Sequence, residues 1–535
     1  MPFVARFGRL KFLTCLVSLL CFDLYVWAQK KVPVEIIHSD VLEIFNNNGQ
    51  TIKKISGNVQ LKHEGLFFQC DSALIFDTPQ LLNAYGNVII RQGDTIYFRS
   101  DSLIYQGTPK ILDAYGNVLM ETPDIRLTTP HLTYDRNNQT AYYFESGEII
   151  GKKDPFRLSS QIGLYFGNGS YFRFGKNVKV VKNDISIETD TLLYFEKEDR
   201  YVFQGKTYMQ SPDGFVVCEK GFYWPAEDKA LYQKNVSICK ASNFITGDSI
   251  AIDQKKRIVH FGPNFFFIDT VEKAFMHAHK GVYYLQDDSM AAYINPCLGY
   301  LTDDDTLWIK GDTVLFKLKS STDSLSIKNH STIDSANKND LVTFWAFPDA
   351  AIYSEDLSGK SDSLFYASND SLLHLIGSPV LWMGEMEIYA DTIVAFFYDT
   401  IMQNMLFYEN TYLSQWLDSA SFNMMYGVYG RLVFHNNQPA VLYLDTAAEA
   451  IYHVKDDDGK KIGINHSHSQ NIKIYFKEKE LSKVVLQQNP QGIIDPPLKE
   501  ELKILEGWKN RREEKIYRNA FPLVISTNEC ECRKQ

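Results

Sequence analysis

The feature that most constrains this chain is a beat of about 30 residues. Gly57-Asn58-Val59, Gly86-Asn87-Val88 and Gly116-Asn117-Val118 recur at steps of 29 and 30 residues, with weaker copies at Gly147, Gly175, Gly205 and Gly262. A second mark keeps the same time: Asp71-Ser72, Asp101-Ser102, Asp190-Thr191, Asp248-Ser249, Asp312-Thr313 and Asp391-Thr392. A fixed period means an array of one structural unit, in which each unit needs only its neighbours. Length alone therefore does not set the number of domains, although 535 residues would otherwise suggest several.

One repeat reads as short strands. Asp71–Phe76 is an apolar run that stops at Thr78-Pro79, because proline cannot continue a ladder. Leu81–Tyr85 follows, then Gly86-Asn87, whose residue types accept the positive φ of turns and bulges. Val88–Arg91 is a third run, and Gln92-Gly93-Asp94 turns into Thr95–Phe98. Runs this short are too brief for helices, and turn signals every eight or so residues predict an antiparallel all-β array. The 31 Tyr and 35 Phe suit strands as well. The Asp-Ser/Thr marks are expected to bond local backbone in a turn and open the next strand.

Period-two alternation assigns faces. Val59 and Leu61 oppose Gln60 and Lys62; Val178 and Val180 oppose Lys179; Val236 and Ile238 oppose Ser237. After the aspartate marks, Leu103 and Tyr105, Leu192 and Tyr194, Ile250 and Ile252, and Val314 and Phe316 share a face. Stacking aligns them into an apolar strip, which is either a plain core or one wall of a lengthwise groove.

The formal charge is −10, and no basic excess exists to attract nucleic acid. Residues 1–28 read as an export signal: Arg6, Arg9 and Lys11, then a largely apolar Phe12–Trp27, then Val26-Trp27-Ala28 at the cut. An uncleaved membrane anchor is the competing reading. No later apolar run is long enough to span a bilayer as a helix. Cysteines are sparse, so disulfides are not expected to hold the fold. Cys70 and Cys218 occupy equivalent repeat positions, which packing explains; whether Cys530 and Cys532 pair is open.

The pattern divides the chain into a β-repeat block at 30–317, a Ser-, Asn- and Lys-rich loop at 318–340, a second β block at 341–495 and a charged tail at 496–535. In the tail, Leu498, Leu502, Leu505 and Trp508 are spaced for one helical stripe, which predicts a short C-terminal helix, either capping a sheet edge or docking a partner. His277-x-His279 and His466-x-His468 could place paired imidazoles on a strand, but no third metal ligand is identifiable. Asp303-Asp304-Asp305 and Asp456-Asp457-Asp458-Gly459 lack calcium-loop spacing and read as hairpin tips. No phosphate loop, nucleophile elbow or zinc-protease motif is present, so the expectation is a non-enzyme with no cofactor and no metal.

Leu82-Asn83-Ala84-Tyr85-Gly86-Asn87-Val88 and its echo Leu112-Asp113-Ala114-Tyr115-Gly116-Asn117-Val118, each followed by a polar turn and an Asp-Ser/Thr strand, resemble the OstA/LptA-like family of lipopolysaccharide-transport proteins, which includes the N-terminal domain of the outer-membrane translocon. The resemblance is good over Val34–Val180, fades towards Asp312 and is faint beyond. It implies an open β-jellyroll, or "β-taco", whose interior takes lipopolysaccharide acyl chains. The implied groove residues are Val59, Leu61, Ile75, Val88, Ile90, Leu103, Tyr105, Val118, Met120, Val178, Val180, Leu192 and Tyr194. It also implies an exported, periplasmic bridge associated with the outer membrane, joined to similar modules or the translocon by edge-strand addition. Known bridge proteins are far shorter, so the second block and the tail have no role from the family. A structural or adhesive β-solenoid of the cell envelope without lipid cargo is the alternative.

Overall fold

The computed structural model describes residues 33–522 except 48, 78–79, 94–95, 154, 213, 241–242, 272, 288, 302–304, 320–340, 399–400, 419–420, 457–460, 478–479 and 497–503. The export signal, Cys530, Cys532, Leu498, Leu502 and most of the 318–340 loop lie outside the described residues. The described residues fall into two compact units, divided between 257 and 258.

Unit 1 opens with β1 (Glu35–His38) and β2 (Val41–Asn47), both paired with β3 (Gln50–His63). An antiparallel meander follows: β4 (Leu66–Phe76), β5 (Leu81–Gln92), β6 (Ile96–Gln106), β7 (Ile111–Glu121) and β8 (Ile125–Asp135). The all-β antiparallel array predicted from the repeat is present. The strands, however, are about twice as long as the runs suggest. Leu81–Tyr85 and Val88–Arg91 belong to one 12-residue strand, with Gly86-Asn87 as a bulge in its middle. A bulge adds one residue to one strand and bends it sharply. Repeated at Gly57-Asn58 and Gly116-Asn117, it creases the sheet along a line and gives every long strand two halves.

The aspartate marks lie on the same crease. Asp71 and Asp101 are mid-strand, not at strand starts as the turn reading predicts. Their carboxylates accept side-chain bonds from the neighbouring strand's bulge asparagine: Asn87 Nδ2 to Asp71 Oδ2 at 3.0 Å and Asn117 Nδ2 to Asp101 Oδ2 at 2.8 Å. Asn58 donates likewise to Asp40 at 3.0 Å. Gly86 and Asn87 have φ of +73° and +46°, the region that glycine and asparagine tolerate best. A Cβ on Gly86 would run into the Asp71 carboxylate. The two marks are thus one device, a bulge locked by an Asp–Asn bond.

The device persists where glycine does not. Lys176-Asn177, Lys234-Asn235 and Glu409-Asn410 all have positive φ at a register shift. Asn235 bonds Glu219 at 2.6 Å, and Asn410 bonds Asp391 at 2.9 Å. At Gly147 the crease instead separates two short strands, Thr140–Tyr143 and Gly147–Gly151.

Unit 2 begins with short strands and ends in long bulged ones, Ile401–Trp416, Phe422–His435, Gln438–Lys455 and Lys461–Lys477. Thr313–Lys319 pairs with Leu341–Phe347, so the 318–340 stretch joins neighbouring strands within this unit. Among the described residues the predicted C-terminal helix is not shown; Leu498 and Leu502 lie outside them. Described residues 504–522 form an irregular strap with only two 3₁₀ turns, Arg512–Glu514 and Arg518–Ala520. Leu505 enters a cluster with Val380, Trp382, Tyr389, Tyr412, Trp416, Phe422, Met424 and Ile451. Trp508 stacks on Phe422 at 4.7 Å, and its Nε1 donates to Ser414 Oγ at 2.6 Å. The strap's backbone finds partners on the sheet: Lys509 N donates to Tyr389 Oη at 2.7 Å, and the Glu506 carbonyl accepts from Tyr412 Oη at 2.6 Å. In the described residues 504–522 those bonds take the place of the i→i−4 bonds of a helix. Alternate residues Leu381, Ile388, Leu413 and Met425 are buried on the opposite face, so this part of the sheet is covered on both sides.

Candidate functional site: the inward rows of unit 1

Cross-strand register turns single strand faces into rows. On one side of the crease, Ile36, Leu61, Phe68, Ile90, Phe98, Met120 and Leu127 are successive partners. The row continues through Ile149, Leu158, Val180, Ile187, Met209, Val216, Ile238 and Ile245. On the other side, Ile44, Lys53, Ile75, Leu82, Tyr105, Leu112 and Tyr134 lead through Ala141, Tyr165, Phe172, Tyr194, Tyr201, Tyr223 and Ala230 to Ile252. Two apolar rows run the length of the unit, and Lys53 is the charged member of the second.

The sequence-derived groove residues all fall on or beside these rows. Leu61, Ile90, Met120 and Val180 lie on the first row, and Ile75, Tyr105 and Tyr194 on the second. Val59, Val88, Val118, Val178, Leu103 and Leu192 sit nearer the crease. All are buried except Met120, which is half-buried. The two sides meet across the interior: the Tyr105 ring lies 5.5 Å from His63 edge-on and 6.1 Å from Phe68. At Tyr105, therefore, the two sides are in contact across the interior. Sequence reading missed Lys53, Phe68, Phe98, Leu127, Ile149, Leu158 and Ile187, since only cross-strand register reveals them.

The strand tips away from the crease form two rims, and one ionic contact joins them. Glu64, in the β3–β4 turn, meets Lys110 Nζ at 3.1 Å and Arg136 Nη1 at 2.9 Å. Lys110 and Arg136 belong to the opposite rim, at the ends of β6–β7 and β8. Burial pushes the Glu64 carboxyl up, but the Lys110 hydrogen bond and the charges of Lys110 and Arg136 outweigh it and hold the carboxyl below its ordinary value.

The N-terminal end is open. β1 and β2 pair only with β3 among the described residues, so their outer edges are bare. Ile37, Val41, Leu42, Ile44 and Phe45 are exposed there, Ile44 by 61% and Leu42 by 49%, although Leu42 and Ile44 stand on the inward face. A cavity of about 80 Å³ lies at this end, between Pro33–Ile36 and the rims, lined by Lys53, His63, Ile75, Leu82 and Tyr105 among others.

The family model described as OstA-like protein matches residues 31–190. This segment is similar to the OstA-like family. The OstA-like segment holds β1 to β8, the clasp at Glu64 and the open end. No curated protein matches the chain. Among solved structures, one match is LptH of Pseudomonas aeruginosa, described as the LptA homologous periplasmic component of the conserved lipopolysaccharide transport device. It is 17% identical, covers 20% of this chain and 79% of its own, and has a TM-score of 0.18.

Elsewhere chemistry is sparse. Among the described residues no group of three or more His, Cys, Asp and Glu is placed to hold a metal. His277 lies on a strand and His279 just beyond it, while His466 is engaged by Glu449 at 2.6 Å and His468 faces Gln491 at 3.3 Å. Burial raises the thiols of Cys70 to about 11 and Cys218 to about 12, which keeps both unreactive. Among the described residues no helix is long and apolar enough to cross a membrane.

Proposed function

We propose that the chain is a bridge component of lipopolysaccharide transport and outer-membrane assembly, exported to the periplasm. Acyl chains lie along the apolar rows of unit 1, and the bare β1–β2 edge extends the bridge by strand addition to another OstA-like module or to the translocon. The observation that carries this reading is the pair of continuous apolar rows through the OstA-like segment, which end at Ile36 and at the exposed inward Ile44. Acyl chains gain about 0.8 kcal/mol per buried CH₂, so a long chain compensates for parting the two sides where they touch. Sugars and phosphates stay in water.

A photo-crosslinking amino acid at Val88, Ile90, Leu103 or Tyr105 is expected to capture lipopolysaccharide in cells, and one at Gln60 or Lys179 is not. Capture confined to Gln60 and Lys179 removes the reading. The contact between the two sides at Tyr105 favours a second reading, a cell-envelope scaffold without cargo, which predicts silence at every inward position.

A further inference from the structure

We propose that the cavity at the open end of unit 1 is a port for the head-to-chain junction of an anionic acylated lipid, in which Lys53 faces the acidic group and the Tyr105 hydroxyl donates to the ester or amide carbonyl. The proposal rests on the reading above and adds a ligand chemistry to it.

Two observations carry it independently. Tyr105 is 3% exposed, lines the cavity, and its hydroxyl has no hydrogen-bond partner among the described residues. A buried hydroxyl without a partner is destabilising unless something else supplies one. Lys53 is the second observation. It stands on the inward row between Ile44 and Ile75, where every other member is uncharged. Its ammonium meets Asp77 at 3.0 Å, but Asp77 is half exposed, so the pair is weak and its aspartate exchangeable for a bound anion. A cation and a neutral donor are thus placed beside Ile75 and Leu82, at the end where the rows emerge into water. Along the row Ile75 and Leu82 lie between Lys53 and Tyr105, and all four line the one cavity, so a charged head, a carbonyl and an acyl chain of one lipid each find a matching group there. A space of about 80 Å³ admits a carbonyl and the first methylenes, with the remaining chain following the row.

The test uses lauroyl lysophosphatidate, which has ester, chain and phosphate; monolaurin, which lacks the phosphate; and inorganic phosphate, which lacks the chain. Binding to the purified full chain is measured by calorimetry. Wild type is expected to bind lysophosphatidate more tightly than monolaurin and not to bind inorganic phosphate. Lys53→Gln weakens lysophosphatidate about tenfold and leaves monolaurin unchanged. Tyr105→Phe weakens both about fivefold, while its melting temperature stays at or above wild type because an unsatisfied group is gone. The port is overturned if wild type does not prefer lysophosphatidate, or if both variants bind as wild type does. Row cross-links that capture lipopolysaccharide beside unaffected variants leave the bridge standing without the port. Silent cross-links beside Lys53- and Tyr105-dependent binding leave the port without the bridge.

Discussion

At the scale of single residues, the crease concentrates the constraint. Gly86 needs both its positive φ and its missing Cβ, whereas Asn87 contributes one exposed side-chain bond. Gly86→Ala is expected to destabilise unit 1 by about 2 kcal/mol and Asn87→Ala by about 0.5–1 kcal/mol, in urea unfolding of the full chain. The reverse order would show that the hydrogen bond, not the backbone, sets the bulge. Glu64 makes a pH-dependent contribution. Its carboxyl sits below its ordinary value of 4.5 in the fold, so the stabilisation is present at neutral pH and disappears as pH falls through the folded value. Glu64→Gln should therefore lower stability at pH 7 and make no difference in acid well below the folded value, with a coupling to Arg136→Met of about 0.5–1 kcal/mol at neutral pH. A difference that persists unchanged into acid would mean that Glu64 acts through packing.

At the scale of elements, the strap is the informative case. Leu505→Ala should destabilise unit 2 by about 3 kcal/mol, because it leaves a cavity among Trp382, Tyr412 and Trp416. Removing residues 504–522 should uncover the aromatic face from Trp308, under Phe521, to Phe422, under Trp508. A red-shifted tryptophan spectrum and binding of an apolar dye would report it; unchanged spectra would mean the strap is not held in solution. The strap also marks where sequence reasoning ends. Its leucine spacing is helical, but the strap's partners lie about 90 or more residues earlier, at Tyr389, Tyr412 and Ser414, and no local pattern encodes them. The strands were legible because alternation is local. Their true length was not, because Gly-Asn reads alike as a hairpin turn and as a bulge until the register is known. Lys234-Asn235 and Glu409-Asn410 escape a pattern keyed on glycine; the recurring asparagine, as the second residue of each pair, is the signal that picks them out.

At the scale of the molecule, the inward side of the proposed groove residues was legible from alternation after each mark, and the structure buries all of them but Met120. Lys53 was not legible, because a lysine in a strand is ordinarily solvent-facing and only its partners Ile44 and Ile75 reveal its side. The bare β1–β2 edge gives a further prediction. Edge strands with exposed apolar side chains template association, and lysine blunts them. Ile44→Lys should reduce concentration-dependent self-association in sedimentation velocity without lowering the melting temperature; equal association would place the contact elsewhere.

In unit 1 the Asp–Asn locks at Asp71 and Asp101 lie on the solvent side of the crease and belong to neither inward row. The sheet is bound like a book, stitched along its spine. What is printed on the facing pages runs from valine to tyrosine along the rows, while the stitching stays the same.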